Sequence, residues 1–135
     1  MDPVAKASLA LGWGLLLVLV PGCGRKLSHA DYVPTKEKAR AALEAALTAW
    51  QNGRPPGKIE GVSPAVQAVD SVWQAGQKLA GFTILDEESG DGPQRFSVRL
   101  NLKDTKGELV VRYVVLGRDP IWVYRAEDYK RAMGM

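Results

Sequence analysis

The chain has 135 residues, 18 Lys and Arg against 15 Asp and Glu, and a formal net charge of +3. That length holds one domain with a tail, and excludes a Rossmann enzyme with a separate substrate domain, a (β/α)8 barrel and a long repeat array. A hydrophobic content of 46% excludes wholesale disorder, the single cysteine excludes an intrachain disulfide or multi-cysteine metal centre, and the single histidine removes most other metal and catalytic constellations.

Asp2, Lys6 and the α-amino group make a weakly cationic start. Ala7 to Val20 then runs without a charge and is densest at Leu15-Leu16-Leu17-Val18-Leu19-Val20. The run is shorter than the roughly 20 residues of a spanning helix and has the length of a signal-peptide apolar region. Pro21-Gly22 breaks it and Cys23 follows. Val20-Pro21-Gly22-Cys23 resembles the lipobox of bacterial lipoproteins, with Pro21 where the family has a small residue. The resemblance implies removal of residues 1–22 and a diacylglycerol on Cys23. It also implies a stable acyl anchor in the bacterial cell envelope, facing the periplasm. Gly24 at the next position, in place of an aspartate retention signal, leans by the same resemblance toward the outer membrane. Two alternatives stay open: secretion with cleavage at Ser28-His29-Ala30, and an uncleaved membrane anchor.

Processing before Cys23 removes Asp2 and Lys6 together, so the charge stays at +3. The cationic groups Lys36/Lys38/Arg40 and Arg125/Lys130/Arg131 are too short and too free of interleaved aromatics for a nucleic-acid site. They read as solvated helix ends, with mild attraction to anionic lipid as the alternative, and no nucleic-acid partner is expected.

Residues 23–34 form the anchor and a short tether. Thr35 is a good N-cap, Glu37 complements the helix dipole, and Ala39, Ala42, Leu43, Ala46, Leu47 and Trp50 mark one helical face. Gly53 and Pro55-Pro56 end that helix. Gly57 to Pro64 reads as loop. Val66, Val69, Val72 and Trp73 predict one or two irregular helical turns ending near Gly76.

The rest reads as four antiparallel strands. Leu79 to Leu85 is first, followed by an acidic loop from Asp86 to Pro93. Phe96, Val98, Leu100 and Leu102 alternate with polar residues, the period of a half-buried strand. Asp104-Thr105-Lys106-Gly107 predicts a hairpin turn, Leu109 to Leu116 a strand apolar on both faces, Gly117 to Pro120 a turn, and Ile121 to Tyr124 the last strand. Residues 127–135 read as a tail compatible with a frayed helical turn.

A helix followed by segregated strands predicts an α+β fold, with the N-terminal helix packed on a curved four-stranded sheet over residues 35–126. That order resembles the cystatin-like and NTF2-like folds. The lipobox, the Ala-rich helix ending in Trp50, Trp73-x-x-Gly76 and Val123-Tyr124-Arg125 together resemble small lipoproteins of planctomycete-type bacteria. That group has no assigned activity to carry over.

Little catalytic chemistry is on offer. His29 stands alone in the tether, and no P-loop, Gly-x-Gly-x-x-Gly or Gly-x-Ser-x-Gly is present. Asp86, Glu87, Glu88 and Asp91 lack the ligand spacing of an EF-hand loop and read as a solvated turn. No metal or cofactor site is expected. Gln77-Lys78-Leu79-Ala80-Gly81 resembles the Gln-x-Val-x-Gly loop of cystatins, and Pro120-Ile121-Trp122 echoes their Pro-Trp hairpin. Leu79 replaces the valine, and the segment opens a strand rather than joining two.

NTF2-like isomerases suggest a speculative pocket: Asp70 as a carboxylate base, with Tyr113 or Tyr124 as hydrogen-bond donor. The opposing expectation is that Asp70 caps or is exposed while Tyr113 packs in the core. The reading that results is a lipid-anchored, non-enzymatic binding or structural domain serving an unidentified envelope protein or ligand. The alternatives are an NTF2-like pocket enzyme or ligand-binding domain, and a module with an exposed apolar sheet face at Val110, Val114 and Leu116.

Overall fold

Thr35 opens the first helix, α1 (Lys36–Gln51): its side chain accepts from the Lys38 amide at 3.2 Å. The computed structural model describes residues 33–88 and 92–135; the expected signal peptide, Cys23, His29 and Asp91 lie outside them. The whole predicted stripe of α1, from Ala39 to Trp50, is buried. Burying a leucine such as Leu43 stabilises by roughly 1.5–3 kcal/mol. Among the described residues no helix is long and apolar enough to cross a membrane.

Trp50 and Trp73 stack at the end of α1, with centroids 5.4 Å apart and planes 13° from parallel. Each indole N–H crosses to the loop beside the other tryptophan. Trp50 Nε1 donates to the Gln77 carbonyl at 2.7 Å, and Trp73 Nε1 donates to the Arg54 carbonyl at 2.8 Å. Two large apolar surfaces are thereby buried without orphaning their polar atoms.

The predicted meander is present as β3 (Leu79–Glu88), β4 (Gln94–Leu102), β5 (Leu109–Gly117) and β6 (Ile121–Arg125), each antiparallel to the next. The sheet nevertheless has six strands, not four, and it is mixed. The additional pair is β1 (Gly57–Ile59) and β2 (Val66–Val69), antiparallel to each other. β2 then lies parallel to β6, giving the order β1-β2-β6-β5-β4-β3.

The expected loop over Gly57–Pro64 therefore contains a strand, and the expected helical turns at Val66–Val69 are extended. Val66 and Ala68 are buried on one face, a period of two that the i, i+3 spacing of Val66 and Val69 conceals. Helix resumes only at α2 (Ser71–Gln74). α1 touches β1 and β2 as well as β3, strands from both edges, so the sheet wraps around the helix.

The acidic loop is also shorter than expected. Asp86, Glu87 and Glu88 belong to β3, paired with Ser97, Phe96 and Arg95 after a register shift. Glu87 bonds Arg40 at 3.0 Å and Glu88 bonds Arg112, so flanking cations neutralise the strand end. The C-terminal segment is not the expected frayed tail: α3 (Ala126–Ala132) is a seven-residue helix that packs against β5 and β6 and buries Asp128.

Gly117 closes the β5–β6 turn at φ +89°, and a Cβ there would stand 2.7 Å from the Pro120 carbonyl oxygen. Both the dihedral and the space require glycine.

Candidate functional site

The parallel pairing of β2 with β6 creates the most concentrated polar site. Val69 lies beside Tyr124 in register, so Asp70 and Arg125 follow at neighbouring strand ends. Arg125 is in turn opposite Tyr113 on β5. One row across β2, β6 and β5 thus collects a carboxylate, a guanidinium and a phenol. Asp70 and Arg125 are 3% and 7% exposed, and Tyr113 is 2% exposed.

Asp70 engages four donors. Its Oδ1 accepts from the Val72 amide at 2.9 Å, the Trp73 amide at 3.2 Å and Arg125 Nε at 2.7 Å. Its Oδ2 accepts from the Tyr113 hydroxyl at 2.5 Å. Two of these bonds cap α2, because an aspartate N-cap satisfies amides that the first helical turn leaves free. Arg125 also lies over the Tyr113 ring, 5.8 Å from its centroid. Its Nη2 is buried without a partner among the described residues. Beside this row, Asp128 of α3 accepts from the Ser71 amide at 2.8 Å and pairs with Arg131 at 3.2 Å.

Burial pushes the Tyr113 phenol well above its ordinary pKa, and the negative charge of Asp70 adds to the rise. Burial alone would lower the Arg125 guanidinium, but Tyr113 and Asp70 outweigh it and hold the group above its usual value. The row therefore favours a protonated phenol and a charged guanidinium. Such a phenol is a hydrogen-bond donor, not a general base at neutral pH.

Of the three residues of the speculative pocket, Asp70 and Tyr113 meet and Tyr124 does not join them. Strand alternation turns Tyr124 to the other face. There it stacks on Trp122, with centroids 5.7 Å apart, and meets Tyr129 edge-on. Burial and the neighbouring Tyr129 raise its pKa. Asp70 both caps and lies buried, and Tyr113 packs in the core with its hydroxyl satisfied.

Arg125, expected among the solvated cations of a helix end, is instead buried against Asp70, because the β2–β6 pairing brings the two strand ends together. The available signal was an arginine at the end of a short apolar strand with an unplaced aspartate elsewhere. Leu79 of the cystatin-like segment is fully buried at the start of β3, opposite Leu102, and the Gln77 carbonyl is held by Trp50. The proposed sheet face is discontinuous: Val110 is 65% exposed, whereas Val114 is 1% exposed and Leu116 half-buried. No group of three His, Cys, Asp or Glu side chains converges among the described residues.

Open concavities lie elsewhere. A groove of about 340 Å³ runs between Ala41, Ala42 and Ala45 of α1 and Val62, Pro64 and Ile121. It shares Ala41, Ala45 and Val62 with a second hollow of about 420 Å³ that reaches Thr48, Ile59 and Glu60. At the other end it shares Lys38 and Ile121 with a hollow of about 140 Å³ bordered by Pro34 and Arg118. A shallow fourth hollow of about 300 Å³ lies over the tryptophan pair and Pro55-Pro56. None of these four borders Asp70, Tyr113 or Arg125. No family model, no curated protein and no solved structure matches this chain, so its assignment rests on the residues themselves.

Proposed function

We propose that the protein is a lipid-anchored component of a bacterial cell envelope whose folded domain binds a partner or ligand without catalysing a reaction. The observation that carries the anchor is the position of Cys23. The chain's only cysteine closes Val20-Pro21-Gly22-Cys23 directly behind an apolar run of signal-peptide length. A domain beginning at Thr35 would then stand close to the membrane surface, on a tether of about a dozen residues reaching at most roughly 40 Å. The non-enzymatic reading draws support from the engaged state of the Asp70 carboxylate. Three donors crowd Oδ1, the Tyr113 hydroxyl binds Oδ2, and none of the four open hollows borders the carboxylate, which leaves it without the adjoining substrate space that a proton-abstracting base needs. Kinship with the cystatin-like and NTF2-like folds belongs to the same proposal, through a helix followed by a wrapped meander. The β2–β6 parallel pair is a departure from the plain four-stranded expectation.

Metabolic labelling with a fatty acid in a bacterial host tests the anchor. The wild-type chain is expected to take up label and partition with membranes, and Cys23→Ala is expected to lose both. Label retained in Cys23→Ala, or absent from the wild type, would overturn the assignment.

A further inference from the structure

We propose that the end of the domain farthest from where the chain enters it docks an acidic peptide segment, whose carboxylates meet Arg54 and Lys78 while one apolar side chain settles in the hollow over the tryptophan pair. This rests on reading the domain as a binding module, and names the class of partner that module takes.

Unpaired positive charge is concentrated at one end of the fold. Arg40 pairs with Glu44 and Glu87, Arg99 with Glu108, Arg112 with Glu88, Arg125 with Asp70, and Arg131 with Asp128. The other charged side chains make no ion pair among the described residues. Where α1, β2, β4 and β6 end and β1, β3 and β5 begin, these are Arg54, Lys58, Lys78, Lys103 and Lys106, against Asp104 alone. On α3, Glu127 and Lys130 offset each other. At the opposite end Lys36, Lys38, Arg95 and Arg118 are balanced by Glu37, Glu60, Asp86 and Asp119. The chain enters at that balanced end: Pro34 borders a hollow with Arg118 and Ile121, and its carbonyl accepts from Gln94 at 3.2 Å. The length of α1, about 24 Å, separates the entry from the cationic end. An anchor at Cys23 therefore attaches on the far side from these cations, which leaves them to a partner.

The hollow of about 300 Å³ lies at this end, between the segments that lead into β1 and β3, the two edges of the wrapped sheet. Gly53 to Pro56 form one bank and Gly76 to Lys78 the other, tied together by the crossed indole hydrogen bonds. The charged residues that line it are Arg54 and Lys78, exposed cations on opposite banks. Arg54 also borders the hollow that Glu44 and Glu60 reach, but pairs with neither. The C-terminal dipole of α1 adds only about half a negative charge, and the Asn52, Gly53 and Arg54 amides already engage its last carbonyls. Two cations outweigh that. Between them the surface is apolar and stiff, with Pro55 exposed, Pro56 half-buried and the nearly covered indoles beneath. So shallow a hollow, at the lower size limit of small-molecule sites, holds one side chain of a longer partner. A polyanion without apolar groups would leave it empty, and a neutral apolar ligand would leave the cations unused. An acidic segment with one apolar side chain is complementary to both.

Calorimetric titration of the full chain with the end-capped peptide Asp-Glu-Phe-Glu-Asp, at roughly 20 mM salt where screening is weak, tests this. One saturable site is expected, weakened at least about fivefold at roughly 150 mM salt. Replacing the peptide's Phe by Ala is expected to weaken binding about five- to tenfold. Arg54→Glu and Lys78→Glu, both at exposed positions, are each expected to weaken it about two- to tenfold. Lys38→Glu, the same change of net charge at the balanced end, is expected to leave it unchanged. The proposal is overturned by absence of a saturable site, by equal losses in Lys38→Glu and Lys78→Glu, or by equal binding of the Phe and Ala peptides. Polyphosphate bound as tightly as the peptide, and as sensitive to Arg54→Glu, would make the surface a general polyanion site and overturns it. Capture of the Cys23→Ala chain by phosphatidylglycerol vesicles, abolished by Lys78→Glu, would put a lipid surface there and also overturns it. Cys23→Ala should leave the peptide titration unchanged, so loss of the anchor and loss of peptide binding are read separately.

Discussion

Two fastenings hold the segment from Val66 to Gln77, and they use opposite chemistry. On one side, Trp73 stacks on Trp50 and the two indoles exchange hydrogen bonds with each other's flanking loops. On the other, Asp70 draws in Arg125, Tyr113 and the first amides of α2. The tryptophan clasp is an apolar contact with neutral polar atoms at its ends. It loses stability in proportion to the surface removed. The Asp70 row is a buried charge network, whose partial disruption is worse than its absence because the survivor is stranded without water. A four-residue helix could not persist on its own propensity. Its position comes from being held on both sides.

The sharpest way to break the comparison is Asp70→Ala. It leaves Arg125 buried and uncompensated and removes the α2 cap, so a loss of about 3–5 kcal/mol is expected in urea unfolding. A loss below about 1 kcal/mol would show that the row is not a fastening. Tyr113→Phe is gentler, leaving Asp70 Oδ2 without its donor, for about 1.5–3 kcal/mol.

The same variant carries a pH signature. The folded phenol keeps its proton above the unfolded value of about 10, so this stabilisation is complete below that pH and is lost as pH rises through the folded value. Wild-type stability should therefore fall more steeply above about pH 10 than that of Tyr113→Phe. Equal alkaline slopes would remove Tyr113 as the cause. Trp73→Phe is expected to be smallest, at about 1–2 kcal/mol, since an aromatic ring remains to pack and the bond to the Arg54 carbonyl is lost. Its effect should not vary with pH from 6 to about 11; a marked dependence would merge the two fastenings into one.

The two sides also differ in how far the sequence reveals them. Trp50 closes a clear helical stripe, and the meander from β3 to β6 follows from period-two alternation with glycine-bearing turns. Such patterns are local, so neighbouring residues carry them. β2 is only four residues long, and its spacing from Val66 through Val69 to Trp73 mimics a helix. Its local partner β1 is only three residues long, and its other neighbour, β6, lies more than fifty positions away, which no local pattern records. Asp70 and Tyr113 were named by chemical type, and their contact is present. Arg125 required the sheet order, and Tyr124 was separated from the pair by strand alternation alone. The groove along α1 was equally hidden, since the alanines that border it read as part of an ordinary helix.

The β2–β6 pairing also sets the order in which the molecule can be completed. A chain emerging from its N-terminus makes α1, β1 and β2 first, but the strand that receives β2 arrives last. Until Ile121–Arg125 exists, Val66 and Ala68 lack their central neighbour and the Asp70 carboxylate lacks its cation. Closing so long a loop costs entropy before any contact repays it. The last strand therefore acts as a keystone: a chain ending at Asp119 should show amide exchange over residues 66–74 as fast as in an unfolded peptide, and protection there would refute that sequence of events.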